Sequence, residues 1–182
     1  VLFHDGNNAI QPFNPSTNGL RDSAITIGTA DSRFKDAYLS GGVYLGGTAA
    51  VNKLDSYEEG TWTPSFTFDI GGSGIVYGTR NGKYTRVGRT VSVTFLINVS
   101  SGVGTGDYWA RLSGLPFVGE AGGHNNGRVY INNTNVSNFN LSVEGGDNSL
   151  LCFHSYGAAN YAKGSHIVGQ LISGAFTYFT SA

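Results

Sequence analysis

Val91-Ser92-Val93-Thr94-Phe95-Leu96-Ile97-Asn98-Val99 decides the fold of this chain. Val91, Val93, Phe95, Ile97 and Val99 alternate with Ser92, Thr94, Leu96 and Asn98, and a period of two places successive side chains on opposite faces of a strand. One face of this strand is apolar enough to be buried, so a sheet must supply its neighbours.

Moving outward from it, strand-like runs recur at 61–68, 75–79, 83–87, 108–113, 128–132, 139–144, 150–155, 167–172 and 175–180, at the spacing of an antiparallel sheet. The expected fold is all-β, an antiparallel β-sandwich of jelly-roll-like character. Arg80-Asn81-Gly82-Lys83 sets Asn-Gly between two such runs, a dipeptide that accepts positive φ, and so predicts a tight hairpin there. The last run nearly reaches Ala182, which suggests that the terminus is tied into the sheet and is the natural end of the polypeptide.

Composition agrees with short strands and many turns: of 182 residues 28 are Gly, and only 13% are charged. The chain opens on Val1 and contains no Met, so it reads as a piece of something longer. A net charge of -1 covers a mild asymmetry, with four basic and seven acidic residues in 1–60 against seven and five in 61–182, and neither half forms a nucleic-acid-binding patch. The single Cys152 excludes an internal disulfide, and its neighbours Leu150, Leu151 and Phe153 predict a buried thiol. No apolar run approaches the roughly 18–20 residues of a membrane-spanning helix, and Val1-Leu2-Phe3-His4-Asp5 does not read as a signal peptide.

Residues 1–58 differ from the rest. Their apolar residues are sparse and irregularly spaced, too few to bury a core alone. Within them Ala24-Ile25-Thr26-Ile27-Gly28 reads as a short strand, residues 31–39 as about two helical turns with Phe34 and Tyr38 on one face, and Gly41-Gly42-Val43-Tyr44-Leu45-Gly46-Gly47 as a strand in need of a partner. Three copies wrapped about one axis would bring Ile25, Ile27, Phe34, Leu39, Val43 and Leu45 together; the alternative is a flexible Gly-rich linker.

Two stretches carry a resemblance: the run from Ile27-Gly28-Thr29-Ala30 through Phe34-Lys35-Asp36-Ala37-Tyr38-Leu39 to Gly46-Gly47-Thr48, and Tyr57-Glu58-Glu59-Gly60-Thr61-Trp62-Thr63-Pro64. They resemble the shaft of bacteriophage tail fibres and the junction at which such fibres pass into a distal head. Lys83-Tyr84-Thr85-Arg86-Val87-Gly88-Arg89, then Leu112-Ser113-Gly114-Leu115-Pro116-Phe117, are similar to the early strands of that head, so the likeness covers residues 27–117. The closing Gly174-Ala175-Phe176-Thr177-Tyr178-Phe179 shares its general character. The resemblance implies a homotrimer at the distal tail fibre of a virion, with 1–58 as a short intertwined shaft and trimerisation segment and 59–182 as the receptor-binding head. The implied partner is a bacterial surface glycan or outer-membrane protein, with no nucleic acid and no membrane insertion. It implies no catalytic residues, no metal and no cofactor.

Aromatic faces with nearby amides and hydroxyls are what a glycan site requires, and loops supply them. Candidates are Tyr108 and Trp109; His124, Asn125 and Asn126 in a loop over 119–127; and Tyr156, Asn160 and Tyr161, with Lys163, in a loop over 155–166. The structural alternative is that Trp109 and the tyrosines pack inside the head or between subunits. Trp62, at the junction, reads as a packing residue that locks shaft to head or seals neighbouring subunits. A polysaccharide depolymerase needs two carboxyl groups across a glycosidic bond, and residues 61–182 offer Asp69, Asp107, Glu120, Glu144 and Asp147 without an evident pair. Gly102-Val103-Gly104-Thr105-Gly106 lacks the Lys-Ser/Thr of a phosphate-binding loop, and His4, His124, His154 and His166 are not spaced as metal ligands within one chain. Besides attachment, the sequence leaves open a depolymerase whose site lies between subunits and a purely structural trimeric cap.

Overall fold

The computed structural model describes residues 2–4, 9–68, 74–102, 110–120, 125–131, 139–143, 149–154 and 163–180, with backbone alone for 2–4, 125–131, 139–143 and 149–154. The chain divides into two compact units, Val1–Ser40 and Gly41–Ala182.

The first unit contains β1 (Leu2–His4) paired with β2 (Ala9–Gln11), and β3 (Phe13–Asn14) paired with β4 (Gly19–Leu20). The strand expected at 24–28 does not form. No described strand pairs with it, and a strand without a ladder leaves its amides and carbonyls to water. The helix expected at 31–39 is also absent; residues 30–40 are bends and irregular backbone. Nine residues are too few for a helix to hold alone in water, where about 12–15 are marginal, and nothing in this unit buries Phe34 or Tyr38. A local turn holds the start of this stretch, with backbone bonds exchanged between Thr29 and Ser32 and the Thr29 hydroxyl accepting from the Ser32 N–H at 3.1 Å.

The second unit opens with β5 (Val43–Tyr44), whose missing partner is β6 (Lys53–Leu54). Then follow β7 (Tyr57–Trp62), β8 (Ser65–Phe68), β9 (Val76–Val87), β10 (Thr90–Ser101), β11 (Ala110–Ser113), β12 (Asn125–Ile131), β13 (Phe139–Val143), β14 (Ser149–His154), the single turn α1 (Gly164–Ile167) and β15 (Leu171–Phe179). Strand β7 begins at Tyr57, just ahead of the boundary expected after residue 58. Nine of the described strands form one antiparallel sheet in the order β7-β9-β10-β15-β12-β13-β14-β11-β8. The chain is therefore all-β, with antiparallel sheets.

The two end strands of that order, β7 and β8, are consecutive in the chain. In a flat sheet eight gaps of about 4.8 Å would hold them roughly 38 Å apart. The link from Trp62 to Ser65 spans at most about 10 Å. The sheet must therefore curl until its edges approach, and the Tyr77 hydroxyl on β9 accepts a bond from the Phe66 N–H on β8 at 2.8 Å across that approach. The apolar face turns inward, burying Val91, Val93, Phe95, Ile97 and Val99 from β10 with Ile172, Phe176 and Tyr178 from β15 and Phe66 and Leu112 from β8 and β11. At the Val99 end of β10, α1 inserts Ile167 into the core, and Val99 exchanges backbone bonds with Gly169 and Gln170 at 2.7 and 3.2 Å. At the Val91 end, the loop holding Leu115 and Phe117 is pinned by the Tyr178 hydroxyl, which donates to the Phe117 carbonyl at 3.0 Å and accepts from its N–H at 3.2 Å.

Three expectations about the head change. The hairpin at Arg80-Asn81-Gly82-Lys83 does not exist: β9 runs straight through it, and Lys83, Gly82, Asn81 and Arg80 pair with Thr94, Phe95, Leu96 and Ile97 of β10. The runs 75–79 and 83–87 are thus one strand, and the turn comes at Gly88-Arg89, where Gly88 takes φ 57° at the first central position as a type II′ hairpin needs. The run 61–68 breaks into β7 and β8 at Thr63-Pro64, since Pro64 has no N–H for the ladder. The run 167–172 is no single strand either, because Gly169 at φ 71° turns the chain between α1 and β15. Bulges between Ile97 and Ser101 complete the β9–β10 ladder. Cys152 lies on β14 opposite Leu141, and its side chain falls outside the described residues. The sheet closes near the C-terminus with a bridge between Thr180 and Gly119.

Candidate functional site

Tyr108, Trp109, His124, Tyr156, Asn160 and Tyr161 lie outside the described residues. Asn125 and Asn126 are placed by their backbone only, and they open β12 opposite Val143 and Ser142 instead of sitting in a loop. The expected loop over 119–127 is therefore shorter at its far end, and at its near end the Glu120 N–H donates to Phe179 at 2.8 Å while its carboxylate pairs with Arg89. Of the five acids in residues 61–182 only Glu120 is described, and this ion pair occupies it. Lys163 immediately precedes α1, and its N–H donates to Nδ1 of His166 at 3.2 Å. Among the described residues no cluster of His, Cys, Asp and Glu could hold a metal ion.

What the described residues do assemble is a polar surface on the outside of β7, β9, β10 and β15. Outward positions on neighbouring strands fall into rows: Thr61, Lys83, Thr94 and Ala175 in one, and Glu59, Thr85, Ser92 and Thr177 in the next. The Ser92 and Thr177 hydroxyls meet at 3.0 Å. A shallow groove of about 340 Å³ runs over these rows, lined by Lys83, Thr85, Ser92, Thr94, Ala175 and Thr177. Short hydroxyl side chains give it donors and acceptors with little bulk.

A second groove, of about 390 Å³, shares Lys83 with the first and is lined by Thr61, Trp62, Thr63, Arg80, Asn81, Gly82 and Lys83. It exists because β7 stops. The β7–β9 ladder ends at the Trp62–Gly82 pair, Pro64 diverts the chain, and β9 continues back toward Val76 without a β7 neighbour, leaving a notch beside Arg80 and Asn81. That is why residues of both faces of β9 line it.

Two glycines of the β7–β9 ladder are explained by the rings beside them. A Cβ on Gly82 would lie 2.3 Å from Nε1 of Trp62, and one on Gly60 would lie 2.6 Å from the Tyr84 hydroxyl. Gly60 faces Tyr84 and Trp62 faces Gly82 in the same ladder, so each aromatic ring lies over the glycine of the neighbouring strand. Trp62 is 7% exposed, stands edge-on to Phe95 at 6.1 Å, and donates its indole N–H to the Thr94 carbonyl at 3.2 Å. Its packing is internal to this chain. The Tyr84 hydroxyl donates to the Glu58 carboxylate, which raises its pKa, and its ring meets Phe117 edge-on at 5.4 Å. The sequence signal for the notch was the pair of alternations Gly60-Thr61-Trp62 and Gly82-Lys83-Tyr84, and only the register shows that they interlock.

No family model, curated protein or solved structure matches the chain.

Proposed function

We propose that this chain is the distal part of a viral tail fibre, which attaches the virion to a bacterial surface by binding a glycan or an outer-membrane protein. The observation that carries the reading is a contrast between two stretches. The curled sheet fills its own core, whereas Ile27, Phe34 and Tyr38 stand 85%, 72% and 94% exposed with Leu39 and Val51 also bare. Apolar side chains displayed in this way call for a surface to cover them, and identical copies around an axis supply one. The head is a sandwich of jelly-roll-like character whose two layers are halves of one folded-over sheet, and three heads on one fibre turn weak contacts into firm attachment through effective concentration. The hydroxyl rows of β7, β9, β10 and β15 suit such contacts, which need hydrogen bonds and no bond breaking.

The test is binding of the fluorescently labelled chain to a panel of bacterial strains before and after periodate oxidation of surface sugars. Saturable binding to particular strains is expected, and its loss on oxidation identifies a glycan receptor. Failure to bind any strain, together with failure to block virus adsorption, overturns the reading.

A further inference from the structure

We infer that the notch beside β9 is a binding site for an acidic saccharide, a sugar ring carrying a carboxylate. The inference rests on the attachment reading and names the ligand class for one surface of the head.

Charge is the first argument. Among the cations of residues 61–182 whose side chains are described, Arg86 donates to the Gly88 carbonyl at 2.8 Å and lies over Phe117, Arg89 pairs with Glu120, and Arg111 and Lys163 have partners of their own. Arg80 and Lys83 have no carboxylate within ion-pair distance among the described residues, and both line the notch. Arg80 is held by a cation–π contact, its guanidinium carbon 4.5 Å from the Tyr77 ring centre. That contact fixes its direction and leaves its N–H groups to bond elsewhere. Glu59, on the adjoining strand, accepts from the Tyr57 hydroxyl and forms no ion pair with Lys83.

The remaining lining is the second argument. Thr61, Thr63 and the Asn81 amide supply hydroxyl and amide groups for ring hydroxyls, and Trp62 supplies an apolar floor. The volume of about 390 Å³ falls within the roughly 300–1,000 Å³ typical of small-ligand sites. A carboxylate drawn to Arg80 or Lys83, with ring hydroxyls over Thr61, Thr63 and Asn81, matches the polar side chains of the notch.

The experiment titrates the whole chain with a glucuronic-acid-bearing disaccharide and with its neutral glucose counterpart, following the Trp62 indole N–H by NMR. The acidic disaccharide is expected to shift the Trp62 signal saturably, more strongly than the neutral one and less at high salt. The variant R80Q/K83Q, whose changes are at exposed positions, is expected to bind at least about tenfold more weakly, a loss of about 1.4 kcal/mol. An unmoved Trp62 signal, or equal affinity in the variant, overturns the inference. If the wild-type chain binds cells while the disaccharide leaves Trp62 unmoved, the notch proposal falls and attachment stands. If the disaccharide binds through Arg80 and Lys83 but no strain is bound, the site stands and the attachment reading falls.

Discussion

Gly82 illustrates how much a missing side chain can fix. The indole of Trp62 occupies the space where its Cβ would be, and that ring cannot swing away without leaving Phe95 and the Thr94 carbonyl. Gly82→Ala is therefore expected to destabilise the fold by about 1–3 kcal/mol, the usual range for overpacking. Urea denaturation measures the loss, and the tryptophan emission of the folded variant should move to the red. Tyr178 makes a complementary case. Burial pushes its phenol up to about 12, and the neutral hydroxyl bridges both backbone groups of Phe117. Because the folded form holds its proton more tightly than the unfolded form, with an ordinary value of 10.0, this contribution to stability is complete below pH 10 and fades as pH rises toward 12. Thermal melts between pH 9 and about 12 should show that alkaline loss in the wild type, and Tyr178→Phe should be less stable at neutral pH but show a shallower alkaline decline.

At the scale of elements, the β9–β10 hairpin depends on one backbone angle. Gly88 at φ 57° faces open space, so replacing it costs conformational strain and causes no clash. Gly88→Ala should lose about 1 kcal/mol, and chemical denaturation of the variant checks the loss. Asn81-Gly82 looks as competent to turn as Gly88-Arg89, and turn chemistry alone does not separate them. The register does: a turn at Asn81-Gly82 would end the ladder there and leave Trp62 without the flat strand that it covers. The failed helix at 31–39 and the failed strand at 24–28 teach the same lesson from the other side, since local pattern without a surface to pack on does not make an element.

For the whole molecule, the proposed trimer rests on exposed apolar side chains and is open to direct test. Sedimentation of the purified chain should give three times the monomer mass, and I27S/F34S/L39S should shift it toward monomer while leaving the circular dichroism of the β-head intact. A wild-type monomer removes the support for a three-chain fibre. The site candidates at this scale stand differently from the fold. The aromatic candidates Tyr108, Trp109, Tyr156 and Tyr161 lie outside the described residues, Asn125 and Asn126 lie on a strand, and the grooves around Lys83 arise from residues more than a hundred positions apart, Thr61 to Thr177, that only pairing brings together.

The sequence by itself determined the antiparallel all-β class, the buried face of Val91–Val99 alternation and the poverty of the leading segment in core-forming residues. Each of these is a local property, because side-chain period and composition act through neighbours in the chain. Tertiary structure alone decided that Gly82 lies beneath Trp62 instead of in a turn, that Pro64 sends β7 and β8 to opposite ends of one curled sheet, and that Arg80 and Lys83 flank a single notch. Those outcomes depend on strand register and sheet closure, which are set by the combined packing of distant residues and are not encoded in any one segment.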